Sequence, residues 1–166
     1  NVRFLSRNPR RVSRAHDNRV VGFAWDPLGD YTVDDRAFEG IDYIINLAGA
    51  NVAGARWTKQ RKDEILKSRT LGTQLLRDAI ERVQPNLKSY VSASATGYYG
   101  SQAGRFLQED DPVGSDFLAQ VCADWEARSK SVEALGVRTV IIRVGIVLST
   151  EGGMLAKLLP ITNLGL

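Results

Sequence analysis

The sequence is poor in the residues that build disulfide frameworks and metal sites. Its 166 residues contain one cysteine, Cys122, and one histidine, His16. A single cysteine cannot form an internal disulfide, which excludes a disulfide-stapled scaffold and favours a reducing compartment such as the cytoplasm. We expect His16 to be a surface residue in a polar loop. The acidic run at residues 109–111 has no second cluster with metal-ligand spacing, so no metal is predicted.

Long apolar runs are also absent. No stretch of about 18 uncharged apolar residues occurs, which excludes a membrane-spanning helix. The first 14 residues are basic but lack the apolar core of a signal peptide. Five prolines, 15 glycines, 43% hydrophobic and 25% charged residues are close to globular averages. This composition excludes a disordered or collagenous chain and predicts one domain over residues 1–166 with a sizeable core.

Positive charge exceeds negative charge only slightly. Lysine and arginine number 22 against 19 acidic residues, giving a net charge of +3. This balance suits an anionic ligand but falls short of a polybasic nucleic-acid protein. The arginines between residues 7 and 14 have no aromatic residue among them to stack on bases, so we expect no nucleic-acid interface. A solvated basic turn is the alternative reading of this cluster.

The chain alternates apolar strands with amphipathic helices, a pattern typical of right-handed βαβ units in a parallel sheet. We predict strands at residues 2–5, 19–24, 41–47, 89–95 and 137–148, and helices at residues 58–83 and 116–135. Two strands have near-continuous apolar runs, as expected where helices cover both faces. The predicted fold class is therefore α/β, with a doubly wound parallel sheet.

Four residues indicate how the helices begin, end and pack. Thr58 offers an N-cap hydroxyl and Pro85 marks the end of the first helix, whereas Gly136 supplies a left-handed cap after the second. Gly72 lies on the buried face of the first helix, where glycine costs about 1 kcal/mol relative to alanine. We predict that Gly72 permits close approach to a strand, with a merely tolerated glycine as the alternative.

Small and hydroxylated residues follow two of the predicted strands. Residues 46–50 read Asn-Leu-Ala-Gly-Ala, and residues 92–100 read Ser-Ala-Ser-Ala-Thr-Gly-Tyr-Tyr-Gly. Ligands of open α/β sheets bind beyond the carboxyl ends of the strands. Small residues there would let the backbone lie against a flat adenine or ribose. We therefore predict the binding site at this edge.

Together these segments resemble the extended short-chain dehydrogenase/reductase superfamily, and within it the epimerase-like branch labelled nucleoside-diphosphate-sugar epimerase or cell-division-inhibitor-like. The resemblance is carried by residues 4–7, 46–49, 56–58, 67–69, 72–73, 92–100, 124–126 and 142–148. It implies a Rossmann-like domain that binds NADP(H) and acts on a small polar substrate, with a nucleotide sugar as one candidate. Neither a nucleic acid nor a membrane is an expected partner, and a homodimer is compatible with the fold.

The resemblance also implies which residues contact the cofactor. Arg7 follows the first strand, where an NAD-specific protein places an acidic residue; an arginine can pair with a 2′-phosphate instead, so NADPH is favoured over NADH. A surface helix pair is the alternative role of Arg69. The implied cofactor contacts are Ser6, Arg7, Leu47, Ala48, Gly49, Glu64, Arg69 and Val147.

Ser94 matches the position where the superfamily keeps a Ser or Thr that hydrogen-bonds the reacting oxygen. We predict Ser94, Tyr98 and Tyr99 as catalytic residues. The family's catalytic Tyr and the Lys four residues later fall on Leu118 and Cys122, which cannot exchange a proton in that way. Two functions therefore stay open: an oxidoreductase or epimerase-like enzyme, and a catalytically weak NADP(H)-binding protein that acts as a redox sensor or partner-binding module.

The sequence contains no G-x-x-G-x-x-G turn, whose backbone N–H groups cradle a pyrophosphate at a helix N-terminus. In the resembled family this turn and the first strand would precede Asn1, and we expect the domain to be incomplete at both ends. Without that strand, ladder groups of the sheet would lack partners, and folding and cofactor binding would be poor. With the loop present upstream, that objection disappears.

Overall fold

The structure is a computed structural model that describes residues 2–11, 20–102 and 104–149 together with Leu155, Leu159 and Thr162. His16 lies outside the described residues. No helix in the described part of the chain is long and apolar enough to cross a membrane. The elements are β1 (Val2–Ser6), β2 (Val20–Asp26), β3 (Thr32–Val33), β4 (Tyr43–Asn46), α1 (Lys59–Val83), β5 (Ser89–Ala95), α2 (Phe117–Lys130), β6 (Thr139–Val144) and β7 (Leu148–Ser149).

Strands β1 to β6 form two three-stranded sheets. In the first, β1 and β2 are parallel and β3 pairs with β2 in the antiparallel sense. In the second, β4, β5 and β6 are all parallel, with Asn46 opposite Ser92 and Ser94 opposite Arg143. The α/β class with parallel pairing is confirmed. No described strand pairs with the outer edge of β1 or of β4, so the expected central sheet is present as two halves.

The first helix follows the prediction closely. The Thr58 hydroxyl accepts the backbone N–H three residues on, and the helix ends where Gln84 takes a left-handed conformation before Pro85. The second predicted helix is α-helical only to Lys130 and continues as a 3-10 helix over Ser131–Leu135. Gly136 then adopts φ +77°, which is the predicted left-handed cap.

Several predicted strand bounds were wrong. The strand predicted at residues 137–148 divides into β6 and β7, with residues 145–147 between them. The strand predicted at 41–47 is shorter, at Tyr43–Asn46, whereas β2 continues to Asp26. The antiparallel β3 was not predicted, because two residues are too few to show an alternating pattern.

Both helices lie on one face of the second sheet. Asn46 contacts Thr73 of α1, and Ser92 contacts Ser129 of α2. The register places Asn46 and Ser92 on the same face, so the alternate residues face away from both helices. On that opposite face Ile45 is 66% exposed. Among the described residues, both long helices pack on one face of this sheet, and its strands are as apolar as predicted.

The hydrophobic core joins the two sheets through α1. Its fully or nearly buried members come from both halves of the chain: Ala37, Phe38, Leu76, Ala79, Ile80, Tyr90, Val132 and Val137. Gly72 on the same helix faces Trp25 of β2, and a Cβ at this glycine would lie 3.2 Å from Cζ2 of the indole. The predicted close approach of Gly72 to a strand is confirmed.

Candidate functional site

Ser94 lies on the helix-facing side of β5, one residue before the strand ends. Its Oγ donates a hydrogen bond to Oε1 of Glu126 on α2, at 2.7 Å. Both residues are buried, with 3% and 4% of their surfaces exposed. The cap at Asp116 starts α2 so that Glu126 falls opposite the end of β5, and the parallel pairing places Arg143 of β6 directly beside Ser94.

Arg143 connects the three predicted catalytic residues. Its Nε and Nη2 donate to the two carboxylate oxygens of Glu126, at 2.8 and 2.9 Å. Its Nη1 donates to the Tyr99 phenol oxygen at 2.8 Å, and its Cζ lies 3.5 Å from the centroid of the Tyr98 ring. Ser94, Tyr98 and Tyr99 are therefore brought together around one guanidinium and one carboxylate. We call these five residues the Ser94 cluster.

Charge pairing sets the ionisation of the Ser94 cluster. Burial raises the pKa of Glu126, but hydrogen bonds from Arg143 and Ser94 outweigh burial, and the net pKa lies below the usual glutamate value. The pKa of Arg143 is raised, mainly by its hydrogen bonds to Glu126. The carboxylate and the guanidinium are thus both charged near neutral pH, and they form a bidentate pair in a mostly buried position.

Leu118 and Cys122 face the end of β5. A Cβ built on Gly97 would lie 3.8 Å from Leu118 Cβ and 4.0 Å from Cys122 Sγ. Burial raises the pKa of the Cys122 thiol, so the thiol is neutral near pH 7. Neither side chain supplies a cation or a phenol at this position. The only described phenol with a hydrogen-bonded cation at this edge is Tyr99, beside Arg143.

Buried polar side chains of β4 and α1 hydrogen-bond the backbone of the loop after β4. Oδ1 of Asn46 accepts the backbone N–H of Ala48 at 3.2 Å, and the Asn46 amide group donates to Thr73 and Tyr90. Ser68 of α1 accepts the backbone N–H of Ala50 at 2.9 Å. These bonds fix the backbone of Leu47, Ala48 and Gly49, the three loop residues predicted to contact the cofactor.

Arg69 of α1 lies against this loop. Its Nη1 donates to the carbonyl oxygens of Ala50 and Ile65, at 3.2 and 3.0 Å, and a Cβ on Gly49 would lie 2.8 Å from its Cζ. Burial lowers the pKa of Arg69, and no carboxylate of the described residues forms an ion pair with it. The guanidinium also lies 5.2 Å from the ring centroid of Trp125. Arg69 is therefore a half-buried cation without an acidic partner.

The other predicted cofactor residues are more dispersed. Glu64 is exposed and pairs with Arg61 at 2.6 Å. Ser6 accepts the backbone N–H of Asn8 at the end of β1, and Arg7 next to it is exposed. Val147, between β6 and β7, is 63% exposed. No hydrogen bond or ion pair among the described residues joins Arg7 or Val147 to the loop beside Arg69.

Glu126 and Arg143 were not predicted as site residues. The signal that could have revealed them is a charge on an otherwise apolar face: Arg143 interrupts the run Thr139–Val144, and Glu126 follows Cys122 by one helical turn. Such charges are rarely buried without a partner. The acidic run at residues 109–111 is explained by the loop itself, where Asp111 pairs with Arg105, and the described residues contain no cluster able to hold a metal.

Comparison with known proteins identifies the family. The model of the NAD dependent epimerase/dehydratase family matches residues 1–161. The chain belongs to this family. An epimerase family protein of Mycobacterium bovis is 34% identical over 166 residues, which cover 99% of this chain and 51% of that protein. One from Bacillus subtilis is 33% identical over 160 residues, which cover 96% of this chain and 51% of that protein.

Two solved members of the wider epimerase group share the fold. The nucleoside-diphosphate sugar epimerase of Corynebacterium glutamicum has a TM-score of 0.73 at 27% identity, covering 98% of this chain and 37% of that chain. A human epimerase family protein, solved with NADPH, has a TM-score of 0.72 at 26% identity, covering 99% of this chain and 60% of that chain. The chain spans about half the length of the curated relatives.

Proposed function

We propose that the chain is the cofactor-binding part of an NADP(H)-dependent oxidoreductase or epimerase-like protein that acts on a small polar substrate, with a nucleotide sugar as one candidate. The observation that carries this proposal is Arg69, a half-buried guanidinium at the end of β4 that has no acidic partner among the described residues. A desolvated cation of this kind is suited to a phosphate group. The NADPH present in the human relative supports the choice of cofactor.

The loop residues fit a nucleotide. Leu47 is 72% exposed and Gly49 has no side chain, so a flat ring can lie against the loop that Asn46 and Ser68 hold in place. Arg7 is exposed at the end of β1 and forms no ion pair among the described residues, which suits a 2′-phosphate. When bound, the nicotinamide would exchange a hydride with the substrate.

The Ser94 cluster supplies hydrogen bonding and charge for that reaction. Arg143 donates to the Tyr99 oxygen, which leaves the phenol's own hydrogen for another acceptor. Ser94 donates a hydrogen bond to Glu126, which is the carboxylate that Arg143 also binds. We propose that Ser94 contacts the reacting oxygen and that Tyr99, with Tyr98 stacked on Arg143, lies at the entrance to this position.

A second function is favoured by Leu118 and Cys122. A neutral thiol and an alkyl group face Gly97 in the place where the resembled superfamily keeps its proton-transferring pair. A protein that binds NADP(H) with little turnover, and reports nucleotide occupancy to a partner, requires no such pair. This candidate shares the cofactor-binding residues of the first and differs only at the Ser94 cluster.

Calorimetric titration with NADPH and NADH tests the cofactor proposal, with the chain titrated together with whatever residues precede Asn1. We expect saturable NADPH binding that Arg69→Met weakens about tenfold or more, because a hydrogen bond to a charged group contributes about 1.5–3 kcal/mol. Arg77→Met is the matched control, since Arg77 lies on the same helix and pairs with Glu81 at 2.8 Å. An absence of binding by the wild-type protein would overturn the proposal, and equal losses in both variants would remove Arg69 from the site.

Ser94→Ala separates the two functions. In an enzyme this variant should bind NADPH normally and lose turnover, because the Ser94 hydroxyl donates to Glu126 and forms no hydrogen bond among the described residues with the loop beside Arg69. The assay is NADPH oxidation or sugar-nucleotide interconversion by wild type and variant. Turnover that survives in Ser94→Ala would exclude Ser94 as the contact of the reacting oxygen. NADPH binding without any turnover in the wild type would favour the second function.

A further inference from the structure

The hydrogen bond between Ser94 and Glu126 has a fixed direction. A serine hydroxyl has one hydrogen and two lone pairs, whereas an ionised carboxylate has lone pairs only. At 2.7 Å, the hydrogen must therefore belong to Ser94 and point at Oε1 of Glu126. Any further partner of Ser94 then meets lone pairs rather than a hydrogen, and the neutral Cys122 thiol, which also contacts Ser94, can occupy at most one of the two.

Arg143 makes this direction difficult to reverse. Nε and Nη2 of the guanidinium donate to the two oxygens of Glu126 at 2.8 and 2.9 Å. Protonation of Glu126 would remove the charge that both N–H donors of Arg143 are paired with, so the guanidinium favours the ionised carboxylate, which can only accept from Ser94. The low pKa of Glu126 agrees with this geometry.

We propose that Glu126 is a positioning residue that fixes Ser94 as a hydrogen-bond acceptor, so that the site prefers a substrate with a hydroxyl group at the reacting carbon over one with a carbonyl. This inference rests on the proposed function, which places Ser94 at the reacting oxygen. A substrate hydroxyl can donate to Ser94 Oγ, whereas a carbonyl oxygen would oppose lone pairs to lone pairs. The ground state favoured by Ser94 is therefore the alcohol.

The direction of the Ser94 hydrogen bond can be measured without any ligand. In protein labelled at serine, proton NMR should show one slowly exchanging hydroxyl resonance with a contact to Glu126, and Ser94→Ala should remove it. In Glu126→Gln the resonance should shift upfield or disappear, because an amide oxygen is a weaker acceptor than a carboxylate. Glu133→Gln, an exposed site just after α2, is the control and should leave the resonance unchanged. A resonance unchanged in Glu126→Gln overturns the inference.

The substrate preference is tested with two probes that differ only in the oxidation state of C4, UDP-6-deoxyglucose and UDP-4-keto-6-deoxyglucose, titrated into the NADP⁺-saturated protein. The hydroxyl probe should bind more tightly to wild type, and the ratio of the two affinities should fall about tenfold in Glu126→Gln. An unchanged ratio, or a preference of wild type for the carbonyl probe, overturns the inference.

Two further results separate this inference from the proposed function, and a replacement variant covers a failure to fold. If the wild type fails to bind NADPH, the proposed function fails, and the preference for alcohols fails with it. If the protein binds NADPH but neither probe, the nucleotide-sugar candidate and the substrate preference are overturned, although the hydroxyl resonance can still support the hydrogen-bond direction. If Glu126→Gln does not fold, Glu126→Asp replaces it. The shorter aspartate keeps its charge and can still pair with Arg143, but it should lengthen the hydrogen bond from Ser94 and so shift the hydroxyl resonance upfield.

Discussion

The carboxyl ends of β5 and β1 differ in how they are built. At the end of β5, Ser94 bonds Glu126 and Arg143 bonds both Glu126 and Tyr99, mostly out of contact with water. At the end of β1, Arg7 is exposed and forms no ion pair in the described part of the chain. The side chains at the end of β5 are fixed by buried hydrogen bonds, whereas the Arg7 side chain at the end of β1 is exposed to solvent.

Because of this difference, we expect substitutions at the end of β5 to change stability and substitutions at the end of β1 to change mainly ligand binding. Residues in the Ser94 cluster contribute to folding through their buried hydrogen bonds and are also the proposed site of the chemistry, so substitutions there should change the unfolding free energy as well as any turnover. Exposed charges contribute little to stability because water screens them. Arg69 lies between these extremes, since it is half-buried and bonded only to backbone carbonyls.

The largest effect should come from removing one partner of the buried pair. Arg143→Met leaves the Glu126 carboxylate, 4% exposed, without its bidentate partner, and we expect a loss of about 3 kcal/mol in unfolding free energy. Denaturant unfolding measures this loss. Arg36→Met is the control, because the Arg36 side chain is 74% exposed beside Asp34 and water screens this pair, so its loss should be much smaller. Similar losses in both variants would contradict the contrast between buried and exposed pairs.

A loop glycine should give the next largest effect. Gly114 donates its N–H to the Tyr98 carbonyl, and a Cβ there would lie 2.7 Å from both Gly100 N and Tyr99 O. Since these atoms are backbone, Gly114→Ala should destabilise by about 1–3 kcal/mol and disturb Tyr98 and Tyr99. Thermal unfolding and tyrosine NMR shifts would detect both changes. Gly145→Ala is the control, because no atom lies within 4 Å of a Cβ built at Gly145, and it should destabilise the protein less. A larger loss of stability in Gly145→Ala than in Gly114→Ala would contradict the close packing around Gly114.

The pH dependence of stability should be a smaller effect. The folded pKa of Glu126 is lowered, so its contribution is fully present above the unfolded pKa of about 4.3 and is lost as the pH falls through the folded value. Unfolding free energies measured from pH 7 to pH 3 should therefore decline more steeply in wild type than in Glu126→Gln. Because buried pairs are weakly screened, 0.5 M salt should leave most of this difference. Parallel pH profiles for the two proteins would refute it.

The sequence predicts the order of strands and helices because hydrophobic period and capping residues act locally. Thr58, Gly72 and Gly136 therefore have their predicted roles. The Ser94 cluster is only half predicted, since Ser94 and the tyrosines stand in a recognisable segment, whereas Glu126 and Arg143 are 32 and 49 residues beyond Ser94 in the chain and meet it only through strand register and helix packing. The separation of the sheet into two halves depends on long-range pairing that no local pattern shows.

The smallest effect on stability should come from Arg7, where the effect on binding is selective. Arg7→Glu changes an exposed side chain and should alter unfolding free energy by less than about 0.5 kcal/mol. It places a carboxylate at the proposed 2′-phosphate position, so NADPH affinity should fall tenfold or more while NADH affinity changes little. Calorimetry with both nucleotides measures this, with Arg10→Glu as an exposed control for general charge. If Arg7→Glu weakens the binding of NADPH and NADH equally, Arg7 is not the 2′-phosphate contact. If Arg10→Glu lowers the NADPH affinity as much as Arg7→Glu does, the loss comes from the net charge of this turn.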